Sequence, residues 1–166
     1  MPASADLLVI DVLIESPLWT DQPQSEAAVV RAIRAAAGRV PAAGEVAVML
    51  ADDARIRTLN GAWRGLDKPT NVLSFPAAAT GLPGPAGQEA ALGDIAIAYE
   101  TVAAEALAAG KPFLHHLMHL AIHGFLHLRG HDHETDAEAE TMEDLERDIL
   151  RGLDVPDPYA VADEDV

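Results

Sequence analysis

Every one of the chain's seven histidines lies in a single stretch, KPFLHHLMHLAIHGFLHLRGHDH, between positions 115 and 133. Pro112 suits the first turn of a helix, so a long helix is expected from about 112 to 129. Gly130 ends it, because glycine takes the left-handed conformation at little cost. The rest of the chain supplies what such a helix packs on. LLVIDVLIE (7–15) has the apolar density of a strand. SEAAVVRAIRAAAG (25–38) reads as a helix capped by Ser25 and stopped by Gly38. GEVAVML (44–50) alternates as a buried strand. DDARIRTLNGAWRG (52–65) starts at an Asp cap and places Ile56, Leu59 and Trp63 at helical spacing. LDKPTNVLSFP (66–76) is a turn and a short strand ended by Pro76. AAATGLPGPAGQEAAL (77–92) is a loop by its Gly and Pro content. GDIAIAYE (93–100) alternates as a strand, TVAAEALAAG (101–110) is a helix, and 137–150 is an amphipathic helix with Met142, Leu145 and Ile149 as its stripe. The order βαβαββααα predicts a mixed α/β (α+β) fold, one small sheet with helices packed on it.

The 166 residues are the size of one domain, 1–166, with no repeat and no interior linker. No cysteine is present, which excludes a disulfide scaffold, a thiol nucleophile and any thiolate-ligated metal. No apolar run reaches membrane-spanning length, and the N-terminus carries Asp6 and Asp11 where a signal peptide would be basic. A soluble, cytoplasmic protein is expected. The formal net charge of −16 is uneven. Residues 134–166 hold 13 Asp/Glu against Arg147 and Arg151, a net of −11, which reads as a solvated helix face and a frayed tail from about 154 to 166. Residues 31–68 instead carry seven bases against four acids. Overall acidity argues against non-specific binding along a phosphate backbone, but a local positive face can hold a polyanion where screening hides distant charge.

The histidine spacing carries chemistry. His123 and His127 are i and i+4 on a helix, so their imidazoles project from one face toward a single ion. The turn Gly130–His131–Asp132 can bring His133 back over that face. Three imidazoles from a helix and the following turn form a three-nitrogen site with one position open, the arrangement of catalytic zinc. Three imidazoles also suit zinc better than magnesium. His119, one turn earlier, is a candidate supporting donor or fourth contact, and Asp132 a candidate acceptor for a ligand N–H. His115 and His116 read as ordinary helix residues. The spacing H-x3-H-x2-G-x2-H also matches the zinc signature of the metzincin peptidases, which place a glutamate base directly after the first histidine. Here that position is Gly124.

HLAIHGFLHLRGHDH (119–133), with DKPTNVLSFP (67–76) and GDIAIA (93–98) in the same order, resembles the YbeY family of bacterial endoribonucleases. The resemblance implies a zinc-dependent, single-strand-specific endoribonuclease in small-subunit ribosomal RNA 3′-end maturation and ribosome quality control. It implies His123, His127 and His133 as the ligands of one zinc ion. It places the family's arginine before the PTNVLSFP stretch at Arg64. It also implies a small ribosomal subunit and an assembly GTPase as partners. The family often has tyrosine where this chain has His131, which leaves the ligand set intact.

The residues support such a reaction on their own terms. A divalent ion lowers the pKa of bound water toward about 7 and polarises a phosphoryl oxygen. Charge developing on the phosphate calls for a cation, with Arg64 the first candidate and Lys68 the second. Arg55, Arg57 and Lys68 could hold the flanking RNA backbone, and Phe75 could stack on an unpaired base beside Asn71 and Ser74. Whether activated water or a ribose 2′-hydroxyl attacks stays open at this level. The competing expectations are a metallohydrolase of peptides or esters and a ribosome-assembly binding factor whose zinc is mainly structural.

Overall fold

The computed structural model describes residues 8–77 and 91–159. Its sheet is built from β1 (Leu8–Ile14), β2 (Gly44–Ala51), β3 (Val72–Pro76) and β4 (Ala91–Ala98). The helices are α1 (Ser25–Arg39), α2 (Asp53–Arg64), α3 (Tyr99–Ala109), α4 (Phe113–Leu128) and α5 (Asp136–Arg151). The strand order is β1-β2-β4-β3, with the first three parallel and β3 antiparallel on the edge beside β4. This is the mixed α/β arrangement of one small sheet and packed helices. Among the described residues, no helix is long and apolar enough to cross a membrane.

Alternation sorts the strand residues onto two faces. Val48 and Leu50 of β2 register with Ile95 and Ile97 of β4 and, with Val46, face α1 and α4 in the main core. Met49 and Ala51, with Ala96 and Ala98, turn to the opposite face, where Ile56 and Leu59 of α2 and Leu73 cover them. Between Gly110 and Gly130, both in positive-φ conformation, α4 buries Leu117, Leu120, Ala121, Ile122, Phe125 and Leu126. A helix apolar on most of its circumference has to lie inside the molecule. Each such Leu or Ile adds about 1.5–3 kcal/mol by leaving water.

Two glycines fix how closely α4 meets the sheet. At Gly93, with φ +142°, a Cβ would lie 2.4 Å from the Phe75 carbonyl oxygen and 2.8 Å from Leu128 Cδ2. At Gly124 it would meet Ile95 Cγ2 at 3.0 Å and Ser74 Oγ at 3.2 Å. The Ser74 hydroxyl donates to the Gly124 carbonyl at 3.0 Å, tying β3 to the middle of α4. The face of α4 that carries His123 and His127 therefore opens beside β3.

Several boundaries differ from the sequence expectation. Ser25 is the first helical residue of α1 rather than its cap, the cap position is Gln24, and the buried Ser25 hydroxyl has no hydrogen-bond partner among the described residues. Gly38 does not stop α1, which runs to Arg39, and Pro41 disfavours helix at Val40. Strand β4 begins at Ala91 and ends at Ala98, level with the end of β2, so Tyr99 and Glu100 belong to α3. A 3-10 helix at Pro17–Asp21, capped by Ser16, follows β1. Of the loop expected at 77–92, residues 78–90 lie outside the described residues, as do residues 160–166 of the acidic tail. At the start of that tail Val155 is buried, as is Leu153 just before it.

Candidate metal centre

One helical turn separates His123 from His127, and the Nε2 atoms of the two rings stand 3.1 Å apart. The last turn of α4 closes in a Schellman arrangement. The Gly130 N–H donates to the His127 carbonyl at 3.1 Å and the His131 N–H to Leu126 at 3.0 Å, with Gly130 at φ +92°. The chain reverses there, and the Asp132 carboxylate accepts the His133 N–H at 2.7 Å. The His133 ring then lies 5.1 Å from that of His127 and 5.6 Å from that of His123, centroid to centroid. One nitrogen of each ring lies within 4.8 Å of the others, so the three could hold one metal ion.

The donor set fits zinc. Tetrahedral Zn–N bonds of about 2.0–2.1 Å set ligand nitrogens about 3.3 Å apart, close to the spacing of the two Nε2 atoms. The tautomer fits too. His123 Nδ1–H donates to Glu146 Oε2 at 2.6 Å. Burial pushes the Glu146 carboxyl up, but bonds from His119 and His123 outweigh it and hold the group at about 2. It is therefore a carboxylate that only accepts, which assigns the proton to Nδ1 and leaves the His123 Nε2 lone pair toward its neighbours. Burial first, then the charges of His123 and His133, lowers the pKa of His127 and favours its neutral, ligating form.

His119 does not join the trio. Its Nε2–H donates to Glu146 Oε1 at 2.8 Å, on the far side of the carboxylate from His123. His116 is buried and donates to Glu105 Oε1 at 2.8 Å, and Asn71 Nδ2–H reaches the same oxygen at 3.0 Å. Glu146 was hidden by the sequence pattern of a solvated acidic helix. Its residue is fully buried. A signal was present, since position 146 falls within the stripe of Met142, Leu145 and Ile149, where an acid needs partners.

The trio opens on a cleft of about 730 Å³ walled by Trp63, Arg64, Thr70 to Pro76 and the turn from Gly130 to Glu134. Arg64 ends α2 at its rim and makes no ion pair with any described residue. Trp63 was expected on the apolar face of α2 but is 56% exposed, its ring 5.4 Å from that of Phe75. The two rings form one aromatic wall. Asp132 lines the cleft as well. Lys68, Arg55 and Arg57 are absent from its described lining. Arg57 is held in a two-pronged bond to Asp67 at 2.7 and 3.0 Å, and Arg55 lies 4.0 Å from Glu15. At Gly124, where a metzincin carries a glutamate after its first histidine, a side chain would crowd Ile95 Cγ2 at 3.0 Å and Ser74 Oγ at 3.2 Å.

Comparison with known proteins bears on what this cleft belongs to. A family model described as endoribonuclease YbeY matches residues 16–154. An endoribonuclease YbeY of Rhodopseudomonas palustris (strain BisA53) is 60% identical over 156 residues, which cover 92% of this chain and 91% of the relative. One from Bradyrhizobium sp. (strain BTAi1) is 61% identical over 156 residues, covering 90% of this chain and 91% of the relative. The solution structure of TM1509 from Thermotoga maritima superposes with a TM-score of 0.51 at 24% identity, over 94% of this chain and 98% of that one, a likeness of fold. Matches of this identity over nearly the whole chain make it a member of the endoribonuclease YbeY family.

Proposed function

We propose that this chain is a zinc-dependent, single-strand-specific endoribonuclease that acts in the cytoplasm on precursor small-subunit ribosomal RNA, in 3′-end maturation and ribosome quality control. His123, His127 and His133 are its metal ligands in this reading, and one zinc ion per chain its cofactor. The observation that carries it is the convergence of three imidazole nitrogens on the floor of a cleft whose rim holds Arg64. A small ribosomal subunit and an assembly GTPase are the partners that fit such a role.

The metal would supply Lewis-acid polarisation of a phosphoryl oxygen and activation of the attacking group. The protein does the rest. Arg64 faces the charge that develops on the scissile phosphate, where a guanidinium donates two parallel bonds. Trp63 and Phe75 offer ring faces to an unpaired base, which a base locked in a duplex cannot reach. Glu146 keeps the His123 proton on Nδ1, away from the ligating nitrogen. Lys68 remains a candidate for the flanking backbone, while Arg55 and Arg57 would have to leave their present carboxylates to join it.

Cleavage assays on a single-stranded oligoribonucleotide and its duplex, before and after chelation and zinc re-addition, test this. The expected result is cleavage of the single strand that chelation abolishes and zinc restores. His127→Ala should lose cleavage while keeping its circular dichroism spectrum. Undiminished cleavage by either the chelated protein or that variant would overturn the reading.

A further inference from the structure

Glu146 has no solvent exposure and sits within the apolar stripe of α5. A charge buried in this way costs several kcal/mol unless donors satisfy it. Three donors converge on it. His123 Nδ1–H occupies Oε2 at 2.6 Å, His119 Nε2–H occupies Oε1 at 2.8 Å, and the Tyr159 hydroxyl also donates to Oε1. Burial, then the bond and charge of Glu146, push the Tyr159 phenol upward, so it stays a donor. The Tyr159 oxygen is also 3.1 Å from His119 Nε2, and the two rings meet edge to face at 5.3 Å.

The segment that delivers Tyr159 is well held. Leu153 and Val155 are buried, and Arg147 Nε–H donates to Asp157 at 3.2 Å. The Arg147 guanidinium lies over the Tyr159 ring, 5.3 Å from its centroid. None of residues 153–159 lines the cleft. A glutamate reaches its partners through three rotatable bonds, so one histidine on each oxygen still lets the carboxylate tilt about the line between them. Two donors on Oε1 remove that freedom and aim Oε2 at His123.

We propose that Tyr159 is a positioning residue for the metal centre: its hydroxyl anchors Oε1 of Glu146, so that Oε2 holds His123 in the Nδ1–H tautomer with Nε2 free for a cation. This rests on the metal-centre reading above, and its test separates the two. Tyr159→Phe deletes one oxygen and keeps the ring under Arg147. Nitrogen NMR of the zinc-free wild type should find His123 in the Nδ1–H form, and in Tyr159→Phe a mixture of both tautomers. Zinc titration against a chromophoric chelator should show about tenfold weaker binding by Tyr159→Phe, and up to about a hundredfold by Glu146→Gln, the range for losing an outer partner of a ligating histidine. An unchanged His123 spectrum in Tyr159→Phe, with zinc affinity within about twofold of wild type, would overturn the proposal even if the melting temperature falls. A wild type that takes up no zinc would overturn the metal-centre reading instead, and the nitrogen spectrum still decides the role of Tyr159.

Discussion

Arg64 keeps its guanidinium clear of every described carboxylate on a chain of net charge −16, whereas Arg57 and Arg55 are each drawn to an acid. A cation with no ion-pair partner among the described residues, at the rim of the cleft, is available to a phosphate. Arg64→Ala should lower RNA cleavage by more than about tenfold, through loss of one charge-assisted contact, with zinc content unchanged. Steady-state kinetics beside metal analysis checks both halves. Glu146 gives a different readout. The fold holds its carboxyl at about 2 against an ordinary 4.5, so the stabilisation it contributes is complete above pH 4.5 and is lost as pH falls through about 2. Urea unfolding of the zinc-free protein across that window should show Glu146→Gln less stable at neutral pH but with a flatter acid limb. Equal slopes for the two proteins would contradict the assignment. At this scale the three candidate ligands were readable, because i, i+4 spacing and a glycine stop are local facts. Glu146, Tyr159 and the exposure of Trp63 were not, since each depends on which helix or segment lies alongside.

The elements themselves were legible in kind and order, because the apolar period changes from two to 3.6 where strands give way to helices. Their ends were less so. Asp52 caps α2 as its position suggests, its side chain accepting the Arg55 N–H at 2.9 Å, whereas α1 starts without a side-chain cap at all. The strand order β1-β2-β4-β3 could not be read, since pairing is decided by contacts remote in sequence. Gly93 illustrates this: in GDIAIA it looks like the start of a strand, yet it is the point where β3 and the end of α4 close on β4. Gly93→Ala should destabilise by roughly 2–5 kcal/mol, from an unfavourable φ together with overpacking. Gly65→Ala has an unfavourable φ of +69° but open space, and should cost only about 1 kcal/mol. Urea midpoints for the pair check the difference. Similar midpoints would mean that the close approach of β3 and α4 carries no energetic weight.

Across the whole molecule, acidic charge and a cationic rim meet at one cleft. Asp132 and Glu134 line it together with Arg64 and the aromatic wall of Trp63 and Phe75, while most of the described acids after Glu134 sit on α5. Screening over about 8 Å at physiological salt lets the two coexist, so an acidic chain can still take up a single strand at one place. The sequence pointed to the cleft where the three imidazoles converge, because helix and turn residues lie in its most patterned stretch. It could not show that the acidic helix lends one carboxylate to the centre. The function proposed for this chain depends on three imidazoles holding one ion with a coordination position left open. X-ray absorption of the zinc-loaded protein tests that most directly. One zinc per chain is expected, with three imidazole nitrogens at about 2.0–2.1 Å and one oxygen from solvent. Two imidazoles only, or a fourth protein atom in place of solvent, would contradict it.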